Sequence, residues 1–129
     1  MFFGIKKDKT ELEIIIGTNS SVKGDLDSKG VIRIDGSVTG NISADWVIIG
    51  STGVIIGNIT GRGAVIDGRI EGNVILSEIT EIKSNGDVRG EIHTARLSIS
   101  EGAFFEGHSY MTKREGSESK SVIPLKTEK

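Results

Sequence analysis

A five-residue pattern, [Val/Ile]-x-Gly-[Asp/Asn/Glu]-[Leu/Ile/Val], returns along this chain and limits its fold more than any other feature. It stands at Val22-Lys23-Gly24-Asp25-Leu26, Val38-Thr39-Gly40-Asn41-Ile42, Ile55-Ile56-Gly57-Asn58-Ile59, Ile70-Glu71-Gly72-Asn73-Val74 and Val88-Arg89-Gly90-Glu91-Ile92. A degenerate sixth copy is Phe105-Glu106-Gly107-His108-Ser109. The central glycines fall at positions 24, 40, 57, 72, 90 and 107, so the period is 15 to 18 residues. A unit that short cannot bury its own apolar side chains, but stacked units bury them for one another.

Between the glycine motifs lie further β-branched segments, among them Val31-Ile32-Arg33-Ile34, Trp46-Val47-Ile48-Ile49 and Ile79-Thr80-Glu81-Ile82. The apolar residues are mainly 20 Ile and 9 Val, against 5 Leu and 4 Ala, which is a strand composition. Each period holds two or three short strands separated by Gly, Asn, Asp or Ser, the residues that accept tight-turn backbone. No helix has room to form. The expected fold is all-β: a single-domain parallel β-helix, or β-solenoid, of about six windings, each strand pairing with its equivalent in the next. At roughly 4.8 Å per winding the rod is about 29 Å long. Alternating residues such as Val38 and Ile42, or Ile70 and Val74, point inward. A narrow interior leaves no space for rings, in keeping with the aromatics: Phe2 and Phe3 open the chain, Phe104, Phe105 and Tyr110 close the repeats, and Trp46 alone is central.

Residues 12–111 form the expected domain, with tails at 1–11 and 112–129. The body carries eight basic and thirteen acidic residues, whereas the tails together carry eight basic and five acidic. A net charge of −2 argues against a general nucleic-acid binder. The absence of cysteine removes disulfides, thiolate metal sites and cysteine nucleophiles. No G-x-x-x-x-G-K-[ST] loop is present, and Gly50, Gly53, Gly61 and Gly63 read as corners instead. His93 and His108 lie in different repeats and read as solvated or structural. The acids Asp25, Glu71 and Glu91 are spread over different windings, forming a charged face rather than a catalytic pair. The N-x-[ST] matches at Asn19, Asn41 and Asn58 are turn chemistry. No cofactor or metal is expected.

A solenoid has two ends whose backbone groups lack a partner strand, and natural proteins usually blunt such edges. Here the N-terminal end is the strand-forming run Leu12-Glu13-Ile14-Ile15-Ile16, and the C-terminal end carries Phe104 and Phe105. Two apolar ends per rod give an open filament. Leu12, Ile14, Ile16, Phe104 and Phe105 are the candidate polymer contacts.

With the repeats at this spacing, the flanking tails and the Phe104-Phe105 pair, residues 12–110 resemble the bactofilins, the bacterial polymer-forming cytoskeletal family. That resemblance implies a right-handed, three-sided parallel β-helix that assembles end to end, without nucleotide, into non-polar filaments. It also implies that a phenylalanine of the terminal winding, Phe105 or its neighbour Phe104, packs in the polymer contact. Partners implied by it are other copies of the chain, the cytoplasmic membrane, and enzymes of peptidoglycan synthesis or hydrolysis, which the scaffold would position to influence cell shape.

Met1, Phe2, Phe3 and Ile5 stand beside Lys6 and Lys7. An apolar tip with a basic pair suits shallow burial in a membrane, the lysines meeting anionic headgroups. One copy binds weakly; a filament displaying many binds by avidity. In bactofilins a segment of this kind commonly targets the membrane, which implies a cytoplasmic protein peripheral at the inner face of the cell membrane. The tail from 112 to 129 is polar, holds the sole proline, Pro124, and is expected to be unstructured. Two rival readings are a left-handed β-helix acyltransferase-like trimer and a non-polymerising binding module. The first would want six-residue periodicity and an extruded loop, and the sequence shows neither.

Overall fold

The computed structural model describes residues 12–111 and a two-residue strand, Val122–Ile123. The Met1, Phe2, Phe3, Ile5, Lys6 and Lys7 segment lies outside the described residues.

Six windings stack, each with three short strands on three faces. The first is β1 (Leu12–Ile16), β2 (Ser21–Lys23) and β3 (Leu26–Asp27), and the second is β4 (Val31–Ile34), β5 (Ser37–Thr39) and β6 (Ile42–Ser43). The third runs through β7 (Trp46–Ile49), β8 (Val54–Ile56) and the start of β9 (Ile59–Ile66). The fourth takes the rest of β9, β10 (Arg69–Glu71) and the start of β11 (Val74–Ile82). The fifth takes the rest of β11 and both halves of β12 (Asp87–Thr94), and the sixth is β13 (Arg96–Ile99) with β14 (Phe104–Met111). Strand β15 is Val122–Ile123. All pairings among these strands are parallel except that of β15 with β14.

Register explains the repeat residue by residue. The first motif position forms an inward row on the second face, in which Val22, Val38, Ile55, Ile70, Val88 and Phe105 are stacked. The last forms an inward row on the third face: Leu26, Ile42, Ile59, Val74 and Ile92. Val38, Ile55, Ile59, Ile70, Val74, Val88 and Ile92 are fully buried. Each such side chain contributes about 1.5–3 kcal/mol relative to exposure.

The glycine between these rows turns the corner with φ of +136 to +150°, a backbone region that side chains rarely adopt. The acid or amide that follows forms a ladder along that corner. The backbone N–H of Asn41 donates to Asp25 Oδ1 (3.0 Å), that of Asn58 to Asn41 Oδ1 (3.1 Å), that of Asn73 to Asn58 Oδ1 (3.0 Å) and that of Glu91 to Asn73 Oδ1 (3.2 Å). Two of the N-x-[ST] asparagines thus belong to this ladder.

The first face carries two inward rows. One ends in Ile66, Ile82 and Ile99; the other includes Val47, Ala64, Thr80 and Leu97. Thr80 is fully buried, and its Oγ1 has no hydrogen-bond partner. On the outside of this face Trp46 lies in register with Gly63. Any Cβ at Gly63 would press on the indole, 2.6 Å from Cη2. Gly61 and Gly63 therefore stand within continuous strand β9, and the corner expected of them is drawn into that strand. Gly50 and Gly53 lie in the turn between β7 and β8, where the Gly53 N–H donates to Gly50 O (2.8 Å).

One further expectation is corrected. A ring does enter the interior: Phe105 occupies the inward row beyond Val88 and is 2% exposed. It is tolerated because it ends the row, with no seventh winding stacked beyond it among the described residues. In the C-terminal segment, Val122–Ile123 pairs antiparallel with β14.

Candidate assembly surfaces at the two ends

Each end of the stack presents a strand edge, and what that edge can do follows from which backbone groups and side chains it carries. At the N-terminal end β1, β2 and β3 pair with β4, β5 and β6 on one side, and no described strand lies on the other. A register irregularity separates Leu12 from Ile14 in β1. Beyond it the strand alternates. Ile14 is half-buried against the core and Ile16 is buried, while Leu12 and Ile15 face outward at 50% and 63% exposure. Of the three residues expected here, Leu12 is surface and Ile14 and Ile16 end the inward rows. Ile15, which the sequence pattern does not single out, is the most exposed large apolar side chain described. Strict side alternation in a run of three isoleucines places one of them outside.

At the C-terminal end, among the described strands, β13 pairs with β11 and the first half of β14 pairs with β12. Residues 109 and 110 of the same strand are covered by β15. Phe104 and Phe105 diverge here: Phe105 is the buried ring already described, and Phe104 lies outside at 39% exposure. The Arg89 guanidinium carbon sits 5.1 Å from the Phe104 ring centroid, within range of a cation–π attraction. Asp87 holds that arginine, with Nε donating to Oδ1 at 3.1 Å, and this hydrogen bond raises the guanidinium's pKa further above its ordinary value. As with any arginine, the cation over Phe104 keeps its charge across the physiological pH range.

The third face collects the histidines. His93 stacks on Tyr110 with centroids 4.6 Å apart, His108 lies 6.4 Å from the same ring, and His93 Nε2 is 3.3 Å from Glu91 Oε1. Tyr110 thus brings together two histidines that the sequence places in different repeats. Arg62 ties one winding to the next on the outer surface, its Nε and Nη2 each donating to Asp45 at 2.8 Å, and these bonds raise its pKa. Among the described residues no three His, Asp or Glu side chains gather as a metal-holding group, and no helix is long and apolar enough to cross a membrane.

Comparison with known proteins agrees with this architecture. The family model described as bactofilin, polymer-forming cytoskeletal, matches residues 14–110. Bactofilin BacO of Myxococcus xanthus (strain DK1622) is 30% identical over 102 residues, covering 78% of this chain and 81% of that protein. Bactofilin BacP of the same organism is 27% identical over 94 residues, covering 72% of this chain and 39% of BacP. No solved structure matches the chain.

Proposed function

The chain belongs to the bactofilin family of polymer-forming cytoskeletal proteins, and from that premise we propose that it is a non-enzymatic scaffold whose six-winding rods join end to end into non-polar filaments without nucleotide. One observation carries the reading: at both ends the terminal windings keep strand edges with no described partner, flanked by outward apolar side chains. Edges of this kind add strands. Inward rows that already run through six windings continue across such a junction, as they do between windings. Leu12 and Ile15 border the N-terminal contact and Phe104 the C-terminal one, with Ile14, Ile16 and Phe105 supplying the ends of the rows.

The filament lies on the inner face of the cytoplasmic membrane, held by Met1, Phe2, Phe3, Ile5, Lys6 and Lys7 in many copies, and positions proteins that build or cut the cell wall. The body of residues 12–111 assembles, and the segments 1–11 and 112–129 address it. Support for the membrane role comes from the apolar and basic composition of residues 1–7, and for the wall role from family membership.

Negative-stain electron microscopy beside size-exclusion chromatography, with no nucleotide or metal added, tests the assembly reading. Filaments of roughly 2–4 nm width are expected from a three-sided section of short strands. A sharp species at three times the 13.8 kDa chain mass would favour the acyltransferase-like trimer. A monomer at every concentration would favour the binding module.

A further inference from the structure

β15 is unlike every other described strand. It alone runs antiparallel to its partner, with Ser109 opposite Ile123 and Tyr110 opposite Val122. The other side of β14 is taken by β12, so β15 occupies the outer edge of the sixth winding, where a seventh would sit. The sequence provides for a strand of just this length. Val122 and Ile123 are two β-branched residues in a polar tail, and Pro124, which has no N–H to donate, follows them in the sequence.

Direction is the informative part. A solenoid's strands circulate in one sense about its axis, so turning a second rod over to meet the first by the same end reverses that sense. Every strand pair across such a two-fold junction is antiparallel. β15 therefore approaches β14 in the direction that a second copy's β14 would use. We infer that this edge is an antiparallel strand-acceptor site with two competing occupants: the chain's own Val122–Ile123, and the terminal winding of a second copy. While β15 is seated, the third-face edge at the C-terminal end is closed, although β13 has no described partner on its outer side. The N-terminal end has no such occupant among the described residues. Two rods thus join by their N-terminal ends first, and C-terminal joining waits on release of β15. A two-residue strand is short enough to be displaced and so acts as a brake on growth rather than a permanent cap.

This inference rests on the end-to-end assembly proposed above, and the test separates the two. The chain has no cysteine, so the full-length double variant Tyr110→Cys with Val122→Cys holds only the introduced pair. Directly opposed antiparallel residues stand about 4.5–5.5 Å apart at Cα, within reach of a disulfide. Oxidation is expected to form it quantitatively and to stop assembly at two-chain species, with long filaments returning on reduction. In parallel, Ile123→Pro is expected to weaken β15 and lower the protein concentration at which filaments appear several-fold. Failure of the cysteines to pair, equal filaments in both redox states, or an unchanged threshold for Ile123→Pro would each overturn the inference while leaving assembly intact. Absence of filaments from the unsubstituted chain would overturn the assembly reading, and this inference with it.

Discussion

Gly24 and Gly57 occupy the same corner in different windings, and an alanine at each separates fold from assembly. Both need a positive φ, +136° and +150°, which costs a side-chain-bearing residue roughly 1–3 kcal/mol. That term is common to the two. At Gly57 the added Cβ would be driven onto the carbonyl oxygen of Gly40 in the winding before it. Relief requires the second and third windings to part at this corner. Three hydrogen bonds cross there: Gly40 N–H to Ile56 O (3.0 Å), Ile42 N–H to Asn58 O (2.8 Å) and Asn58 N–H to Asn41 Oδ1 (3.1 Å). At about 1 kcal/mol net for each, Gly57→Ala falls below Gly24→Ala by about 3 kcal/mol. With a urea m-value of about 1.5 kcal/mol/M, the unfolding midpoints differ by about 2 M. Circular dichroism followed through urea, below the concentration of assembly, reads that difference.

At Gly24 nothing described lies within 4 Å of the added carbon, because no described winding precedes it. At the five later corners the same carbon points at the glycine carbonyl one winding earlier. In Gly24→Ala it therefore projects from the N-terminal end into the space another copy must fill. The variant is expected to stay folded and to lose long filaments, by sedimentation and electron microscopy. Equal midpoints for the two variants would refute the clash argument. Filaments of normal length from Gly24→Ala would show that its winding is not seated against another.

Thr80→Val replaces a buried hydroxyl that lacks a partner with a methyl of nearly the same shape, and should stabilise the fold by about 1–2 kcal/mol in the same urea assay; a less stable variant would mean the hydroxyl is satisfied. Phe104→Arg places a charge on an outward position and should abolish filaments with the dichroism spectrum intact. Phe105→Arg puts it into the inward row, so it should lose filaments together with about 3 kcal/mol or more of stability, and a fully stable Phe105→Arg would show that the ring is not the end of the core. Deletion of residues 1–7 should leave filaments unchanged while ending their sedimentation with anionic liposomes, and undiminished co-sedimentation would reject the membrane role.

The windings are legible in the sequence because the corner imposes its chemistry at every turn. Only glycine accepts that φ with a carbonyl beneath it, and only a short acid or amide reaches the next backbone N–H, so the pattern survives even where neighbouring residues vary. Inward rows follow by alternation from the residues on either side of the glycine. What escapes lies where the repeat has no neighbour to copy. Phe105 stands in a valine position of the last winding, where a larger side chain fits because the row stops. Ile15 falls outside because Ile14 and Ile16 are drawn inside, a choice settled by pairing with β4 and not by hydrophobicity. β15 has two residues, too few for any period, and its antiparallel direction is set by an edge that exists only once the rod is built. Thr80 has the size and branching of valine and passes unnoticed in a β-rich segment until its hydroxyl is found among Ala64, Leu97 and their neighbours.

Trp46, the chain's single tryptophan, leans across Gly63 from the third winding to the fourth, with windings stacked on either side. Its fluorescence is thus a reporter placed midway along a one-dimensional array, in which each winding is held mainly by its neighbours and loss of order starts where neighbours are missing. Under mild denaturant the backbone signal should fall first, as the outer windings peel away, and the indole emission should follow only when the centre opens. Joining rods end to end removes the frayed boundaries, so the two signals should merge into one transition: the lag between them measures how many ends a sample contains.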